Sequence, residues 1–245
     1  MSEAPISPQK AAELLLKRRR ARESFLDFAK LIMPDDMQPQ EHHALIAKDL
    51  QDLAEGVCRR QMLVLPPGSA KSTYASWLFP TYFLGLYPKA SVIAASHTAA
   101  FAERFGRRCR NLINEDAYRA IFPGTSVASD SAAAGQWSTT QGGEYMAIGA
   151  GGRVQGRRAD LLIVDDPIGS REDADSELIR EQLWQWYTYD LAPRLKPGAR
   201  VIVCQTRYHM EDLAGRLLDK EPERWKLLHL PMEYEEGLPN PLGLK

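Results

Sequence analysis

The sequence predicts an α/β fold with a mainly parallel β-sheet flanked by helices. Three observations carry this reading. Short apolar runs recur at residues 61–65, 91–95, 161–164 and 201–204, helix-patterned stretches lie between most of them, and three of the runs end in polar or charged residues. Strands that alternate with helices pair in parallel and are covered on both faces, so each reads as a continuous apolar run. Ligands of such sheets bind beyond the carboxyl ends of the strands, and the chemistry-bearing residues of this chain fall there.

The elements follow in order. Residues 8–33 are predicted helical, because Ala11, Leu14, Leu15, Arg18, Phe25, Phe28 and Leu31 recur at near-helical spacing and Pro34 ends the stretch. Its run Lys17-Arg18-Arg19-Arg20-Ala21-Arg22 is the strongest basic cluster in the chain, readable as a solvated face or as a contact for phosphate or an acidic partner. Residues 1–35 are therefore read as a basic N-terminal helical arm, ahead of a main domain over 36–245. A second amphipathic helix covers 40–55, with Ala44, Leu45, Leu50 and Leu53 on its apolar side. Helices at 97–114, 172–190 and 210–220 complete the alternation. The segment from Gly124 to Gly156 is rich in Gly, Ser, Thr and Ala and reads as a loop. Alternation around Glu144-Tyr145-Met146-Ala147-Ile148 suggests a short hairpin or an extra edge strand within it.

Bulk properties narrow the function. At 245 residues the chain suits one large domain or two small ones, and 44% hydrophobic with 26% charged residues is a globular composition. A net charge of −1 gives no global nucleic-acid signature, so any such contact must come from local patches. Cys58, Cys109 and Cys204 are too far apart for a metal knuckle or an evident disulfide framework, which fits a reducing compartment. No stretch is long and apolar enough to span a membrane.

Three strand ends carry the chemistry. Leu63-Val64-Leu65 empties into Pro66-Pro67-Gly68-Ser69-Ala70-Lys71-Ser72-Thr73, and a helix-compatible segment follows. This is the layout of a phosphate-binding loop. Backbone N–H groups and a helix N-terminus face the anion, a Lys approaches the β- and γ-phosphates, and a Ser hydroxyl ligates Mg²⁺. The second end is Leu161-Leu162-Ile163-Val164-Asp165-Asp166. In phosphate-loop ATPases the first such acid holds Mg²⁺ and the second carboxylate orients the attacking water. Asp166 is one methylene shorter than the Glu usual there. The third end, Val201-Ile202-Val203-Cys204-Gln205-Thr206, presents Gln205 or Thr206 as a γ-phosphate sensor, while His209 beyond it reads as structural.

With these residues in view, the chain resembles the large terminase subunit of tailed bacteriophages. The likeness rests on Pro66–Ser72, on Gly156-Arg157-Arg158-Ala159-Asp160 leading into Asp165-Asp166-Pro167, and on Thr206-Arg207-Tyr208-His209-Met210-Glu211-Asp212-Leu213-Ala214-Gly215-Arg216-Leu217. Trp184-Gln185-Trp186-Tyr187 and Arg194-Leu195-Lys196-Pro197-Gly198 extend it over roughly residues 36–245. The resemblance implies a RecA/ASCE-like phosphate-loop NTPase fold and an ATP- and Mg²⁺-dependent motor that packages double-stranded viral DNA. It also implies self-association into a ring, with portal protein and small terminase subunit as partners, transiently docked on a procapsid in the host cytoplasm.

By position, the resemblance implies that Pro67, Gly68, Ser69, Ala70, Lys71, Ser72 and Thr73 hold the phosphates. Ser72 and Asp165 become metal ligands, Asp166 the catalytic carboxylate and Thr206 part of the coupling motif. Gln38 or Gln40 occupies the adenine-contacting region. Related motors complete each active site with a neighbour's Arg; Arg157 is the first candidate, with Arg153 and Arg158 open. Relatives often carry a basic residue and a Gly where this loop has Gly68 and Ala70, so weak nucleotide affinity is expected of the isolated chain. No later set of acidic strands follows, so nuclease activity is not expected in it. A helicase-like ATPase and a slowly hydrolysing ring-assembly module are the rival readings.

Overall fold

A computed structural model of the protein describes residues 7–129, 133–154, 156–233 and 241–242. The chain termini, and residues 130–132 and 155 of the Gly-rich segment, lie outside the described residues. Helices α1 (Pro8–Glu23), α2 (Phe25–Ile32) and α3 (Glu41–Glu55) precede strand β1 (Arg60–Val64). A π-helical stretch, Thr73–Leu78, then runs into α4 (Phe79–Leu86), followed by β2 (Ser91–Ser96), α5 (Ala99–Asn114) and α6 (Asp116–Ile121). Strands β3 (Gln136–Ser138), β4 (Glu144–Gly149) and β5 (Ala159–Asp165) come next. Helices α7 (Arg171–Asp175) and α8 (Glu177–Gln185) and a second π-helical stretch, Trp186–Leu191, lead to β6 (Leu195–Gln205). Helix α9 (Leu213–Lys220) and β7 (Lys226–His229) complete the order.

The strands form one seven-stranded sheet in the order β3-β4-β2-β5-β6-β1-β7. Every pairing is parallel except β3 with β4. The strand that leads to the phosphate-loop motif and the strand that ends in Asp165 are thus separated by β6. The α/β architecture read from the sequence is the observed one, with the apolar runs at β1, β2, β5 and β6.

Burial explains why those runs are continuous. Leu161 and Ile163 of β5 face one core with Val92, Ala94, Ile202 and Cys204, beneath α2, α3, α4 and α5. Leu162 and Val164 face the opposite core with Ile93, Ala95, Val201 and Val203, against Trp186, Tyr187, Leu213 and Leu217. Both sides of each central strand are therefore apolar, as expected of a parallel sheet covered on two faces.

Several boundaries differ from the sequence reading for local reasons. The single helix expected over 8–33 breaks at Ser24, whose backbone is extended (φ −134°) and whose hydroxyl caps α2 by accepting from Asp27 N–H. The break turns Phe25 and Phe28 into the aromatic core, where they meet Tyr82 at ring separations of 5.3 Å. The segment from Ala21 to Met33 of the expected arm thus belongs to the main core. The 172–190 helix breaks at Ser176, which caps α8. The Gly-rich segment supplies both expected alternatives at once, since β3 and β4 form a hairpin whose second strand pairs with β2. Strand β7 is an addition, laid in parallel on β1. Among the described residues no helix is long and apolar enough to cross a membrane.

Candidate active site

Beyond β1 the chain turns through Pro66–Ala70 and enters helical backbone at Lys71. The turn is held by Ser69, whose Oγ donates to Pro66 O at 2.8 Å and whose N–H donates to the same oxygen at 3.4 Å. Gly68 takes φ +81° with nothing near the position a Cβ would fill. Ala70 also takes positive φ, +57°. An L-residue with a Cβ adopts this conformation at a cost of about 1–2 kcal/mol, so the loop carries strain at Ala70. Ser72 lies in right-handed helical backbone (φ −68°, ψ −30°). The first N–H groups of that helix have no intrahelical acceptor and suit an anion.

Asp165, the last residue of β5, is 2% exposed. Its Oδ1 accepts from Ser72 Oγ at 2.9 Å and its Oδ2 from Ser76 Oγ at 2.7 Å. Burial, then the neighbouring Asp166 charge, pushes its pKa up to about 6, against the opposing pull of the two hydroxyls and Lys71. Ser72 and Asp165 make a pair of hard oxygen donors. Among the described residues no cluster of three or more His, Cys, Asp or Glu could cage a metal. As hard oxygens, Ser72 and Asp165 fit Mg²⁺, which is usually held by one or two protein oxygens and completed by substrate phosphates and water.

Asp166 is the second strained residue, with φ +38°. It is fixed from every side. Its N–H donates to Cys204 O at 2.8 Å, and its C=O accepts from His97 N–H at 3.2 Å. Its Oδ1 accepts from Thr206 N–H at 2.8 Å. Its Oδ2 lies 3.1 Å from Lys71 Nζ, whose side chain is 7% exposed. One carboxylate thus joins the phosphate-loop motif, the acidic strand and the end of β6. Thr206 completes the junction by donating from Oγ1 to Leu65 O at 3.3 Å. Beside Asp166 lies a cleft of about 10 Å³ lined by Gln205, Thr206, Tyr208 and Asp212 among others, about the space of one water. Gln205 is 4% exposed, and its Oε1 has no hydrogen-bond partner among the described residues.

The sequence candidates divide. Lys71, Ser72, Asp165, Asp166 and Thr206 converge. Gln38 ties its own loop, donating from Nε2 to Met33 O at 2.9 Å and Lys30 O at 3.1 Å. Gln40 is exposed at the start of α3, and its Nε2 donates to Gln38 O at 3.1 Å. His43, which sequence reasoning passed over, links this segment to the loop. Its Nδ1 accepts from Gln40 N–H at 3.0 Å, its ring stacks on Tyr74 at 4.9 Å, and it hydrogen-bonds the Ser69 backbone. Burial, then the His42 charge, lowers its pKa to about 4, so it is neutral at physiological pH. No local pattern announces that role; it arises from how α3 packs on the loop.

Arg157 lies away from this cluster within the chain. It pairs with Glu144 at 2.8 Å, beside the first residue of β4 and before β5 begins, at the amino ends of the strands. The seven residues of β5 place that edge about 20 Å from Asp166. Arg158 is exposed and lines a cleft on the same far edge. Arg153 instead follows β4 as it leaves the sheet level with Asp165, is exposed, and has no ion pair among the described residues.

Two measurements test this geometry. Ala70→Gly relieves the positive φ while adding unfolded-state freedom, for a net gain of about 0.5–1 kcal/mol in urea unfolding; a loss of stability would contradict the strained loop. The raised Asp165 pKa means the native state binds the proton more tightly than the unfolded chain. Its contribution therefore falls as pH rises from about 4 to about 6 and levels off above. Asp165→Asn removes that fall, so in chelator its stability relative to wild type should rise by on the order of 2–3 kcal/mol from about pH 4 to about pH 8. An equal difference at both ends would refute the buried-charge assignment.

The sequence model of the family described as "Terminase large subunit, T4likevirus-type, N-terminal" matches residues 62–236. That span takes in Lys71, Ser72, Asp165, Asp166 and Thr206. A comparison with curated proteins gave no match. Family membership supports a role in packaging phage DNA. With most of the chain matched, from β1 past β7, the protein belongs to the large terminase subunit family of bacteriophages.

Proposed function

We propose that this chain is the ATP-hydrolysing motor domain of the large terminase, driving double-stranded DNA into a procapsid. The observation that supports it most is the convergence of Lys71, Asp166 and Thr206 at the ends of three strands, beside the Ser72–Asp165 pair. Substrate triphosphate lies against the 66–73 loop and the helix N-terminus, with its base toward the segment bearing Gln38 and Gln40, which His43 braces. Ser72 and Asp165 would hold Mg²⁺, which would supply positive charge to offset that of the triphosphate.

Lys71 pairs with Asp166. Phosphate oxygens compete for the same ammonium, and its transfer to them frees an Asp166 oxygen. Asp166 then orients a water from the cleft shared with Gln205 and takes up its proton as the water oxygen bonds to the γ-phosphorus, the bond from that phosphorus to the β,γ-bridging oxygen breaks, and ADP leaves with the electron pair. Gln205 and Thr206 sense the change, because Thr206 N–H holds the other Asp166 oxygen. A neighbouring subunit's Arg153 stabilises charge developing on the γ-phosphate. The ring this requires, the portal and small-subunit contacts and a host-cytoplasmic setting belong to the same proposal.

Steady-state hydrolysis by assembled protein, with and without DNA, tests the reading. Lys71→Ala and Asp166→Ala should each lower turnover at least ~100-fold. Nucleotide binding with no turnover in the assembled wild type would instead favour the ring-assembly module, to which the strained Ala70 lends support.

A further inference from the structure

Helix α5 touches both halves of the proposed nucleotide site. It begins directly after His97, whose N–H donates to Asp166 O, and Thr98 caps it by accepting from Phe101 N–H. On its inner face, Cys109 Sγ lies 3.5 Å from the carbonyl oxygens of Ser76 and Trp77. Ser76 holds Asp165, and Trp77 belongs to the π-helical stretch that follows the loop. Such stretches inside helices are frequent at functional sites.

The outer face of α5 is cationic. Arg104, Arg107 and Arg108 stand at i, i+3 and i+4, which places them on one side within about 6 Å along the axis. Arg104 and Arg107 are exposed, and among the described residues neither has an ion pair or side-chain hydrogen bond. Arg108 stacks its guanidinium over Trp77, 3.8 Å from the ring centroid. Stacking occupies the face of the guanidinium and fixes its plane, while the N–H groups on its edge stay available. Burial, then the Arg104 charge, lowers the pKa of Arg108, so these like charges crowd one another.

Elsewhere the chain neutralises many of its arginines, as in Arg60–Glu221, Arg180–Glu211, Arg207–Asp212 and Arg216–Glu181. Arg104 and Arg108 are like charges at i, i+4, an arrangement that destabilises a helix and that an external anion reverses; Glu103, four residues before Arg107, makes no ion pair with it among the described residues. Arg presents forked donors that match phosphate oxygens. We propose that the Arg104–Arg107–Arg108 face of α5 grips the phosphate backbone of duplex DNA, and that the Trp77–Arg108 stack joins this grip to the nucleotide site. The inference rests on the motor reading and names its DNA-holding surface. Contacts of this kind are to phosphate alone and so tolerate every sequence.

Two other basic surfaces carry less. The cleft of about 610 Å³ lined by Lys89, Arg157, Arg158 and Lys196 is partly neutralised by Glu144 and Asp160. On α1, Arg19 pairs with Glu23 and Arg22 donates to the Ile121 carbonyl. Neither surface contacts the phosphate-loop motif or the acidic strand end.

The test is fluorescence anisotropy of a labelled mixed-sequence duplex, titrated without nucleotide over a range of salt concentrations. Each phosphate contact contributes a slope of about −0.9 in log affinity against log salt. R104A/R107A should weaken binding at least ~10-fold and flatten that slope by about 2, while R104K/R107K keeps it. An unchanged slope in R104A/R107A, or one that falls instead in K89A/R158A, overturns the assignment. So does a wild-type chain that ignores DNA but binds polyglutamate, the mark of an acidic protein partner. For the linkage, DNA should change nucleotide affinity in wild type and not in Trp77→Leu; coupling that persists in Trp77→Leu overturns that half. Because DNA binding is read without nucleotide, it stands or falls separately from hydrolysis.

Discussion

The ion pair between Lys71 and Asp166 is the constraint on which the site depends. It spans two strands that are not neighbours, because β6 lies between β1 and β5. Lys71 is almost fully buried, and a buried ammonium without a partner costs several kcal/mol. Asp166 supplies that partner. In the proposed mechanism a phosphate takes over that role, and the same lysine then reports whether the site is filled. The pair also reaches β6 directly, because the second Asp166 oxygen is held by Thr206 N–H.

Strain is concentrated at this pair. The described non-glycine residues with positive φ are Ala70, next to Lys71, and Asp166 itself. Such backbone persists only where surrounding structure over-determines it. At Asp166 the over-determination is visible in the Cys204, His97, Thr206 and Lys71 contacts. At Ala70 it comes from the Ser69 turn on one side and the helix start on the other. His43 extends the bracing to α3, through its bond with Gln40 N–H and its stack on Tyr74.

How much of this was legible in the sequence follows from what each feature depends on. The apolar runs of β1, β2, β5 and β6 could be read because burial on both faces leaves no alternation to blur them. Asp165 and Asp166 could be read because a carboxylate at the end of such a run is costly unless used. The break at Ser24 was missed because helical spacing continues through it, and tertiary burial of Phe25 and Phe28 decides the matter. Strand β7 was missed because a four-residue edge strand has too few positions to show a period. Arg157 is close in sequence to the acidic strand but sits at its amino end, beside Glu144, so any role for it lies in a neighbouring subunit's site. His43 and the Trp77–Arg108 stack depend on packing between elements far apart in the chain, which no local pattern encodes.

The most direct measurement is a structure of the chain with a non-hydrolysable ATP analogue and Mg²⁺. If phosphate replaces Asp166 as the partner of the buried lysine, Lys71 Nζ will contact phosphate oxygens and Asp166 Oδ2 will have left its 3.1 Å contact. Asp166 will keep its bond to Thr206 N–H. A bound analogue with the Lys71–Asp166 pair intact would contradict the exchange and with it the proposed route from nucleotide to β6.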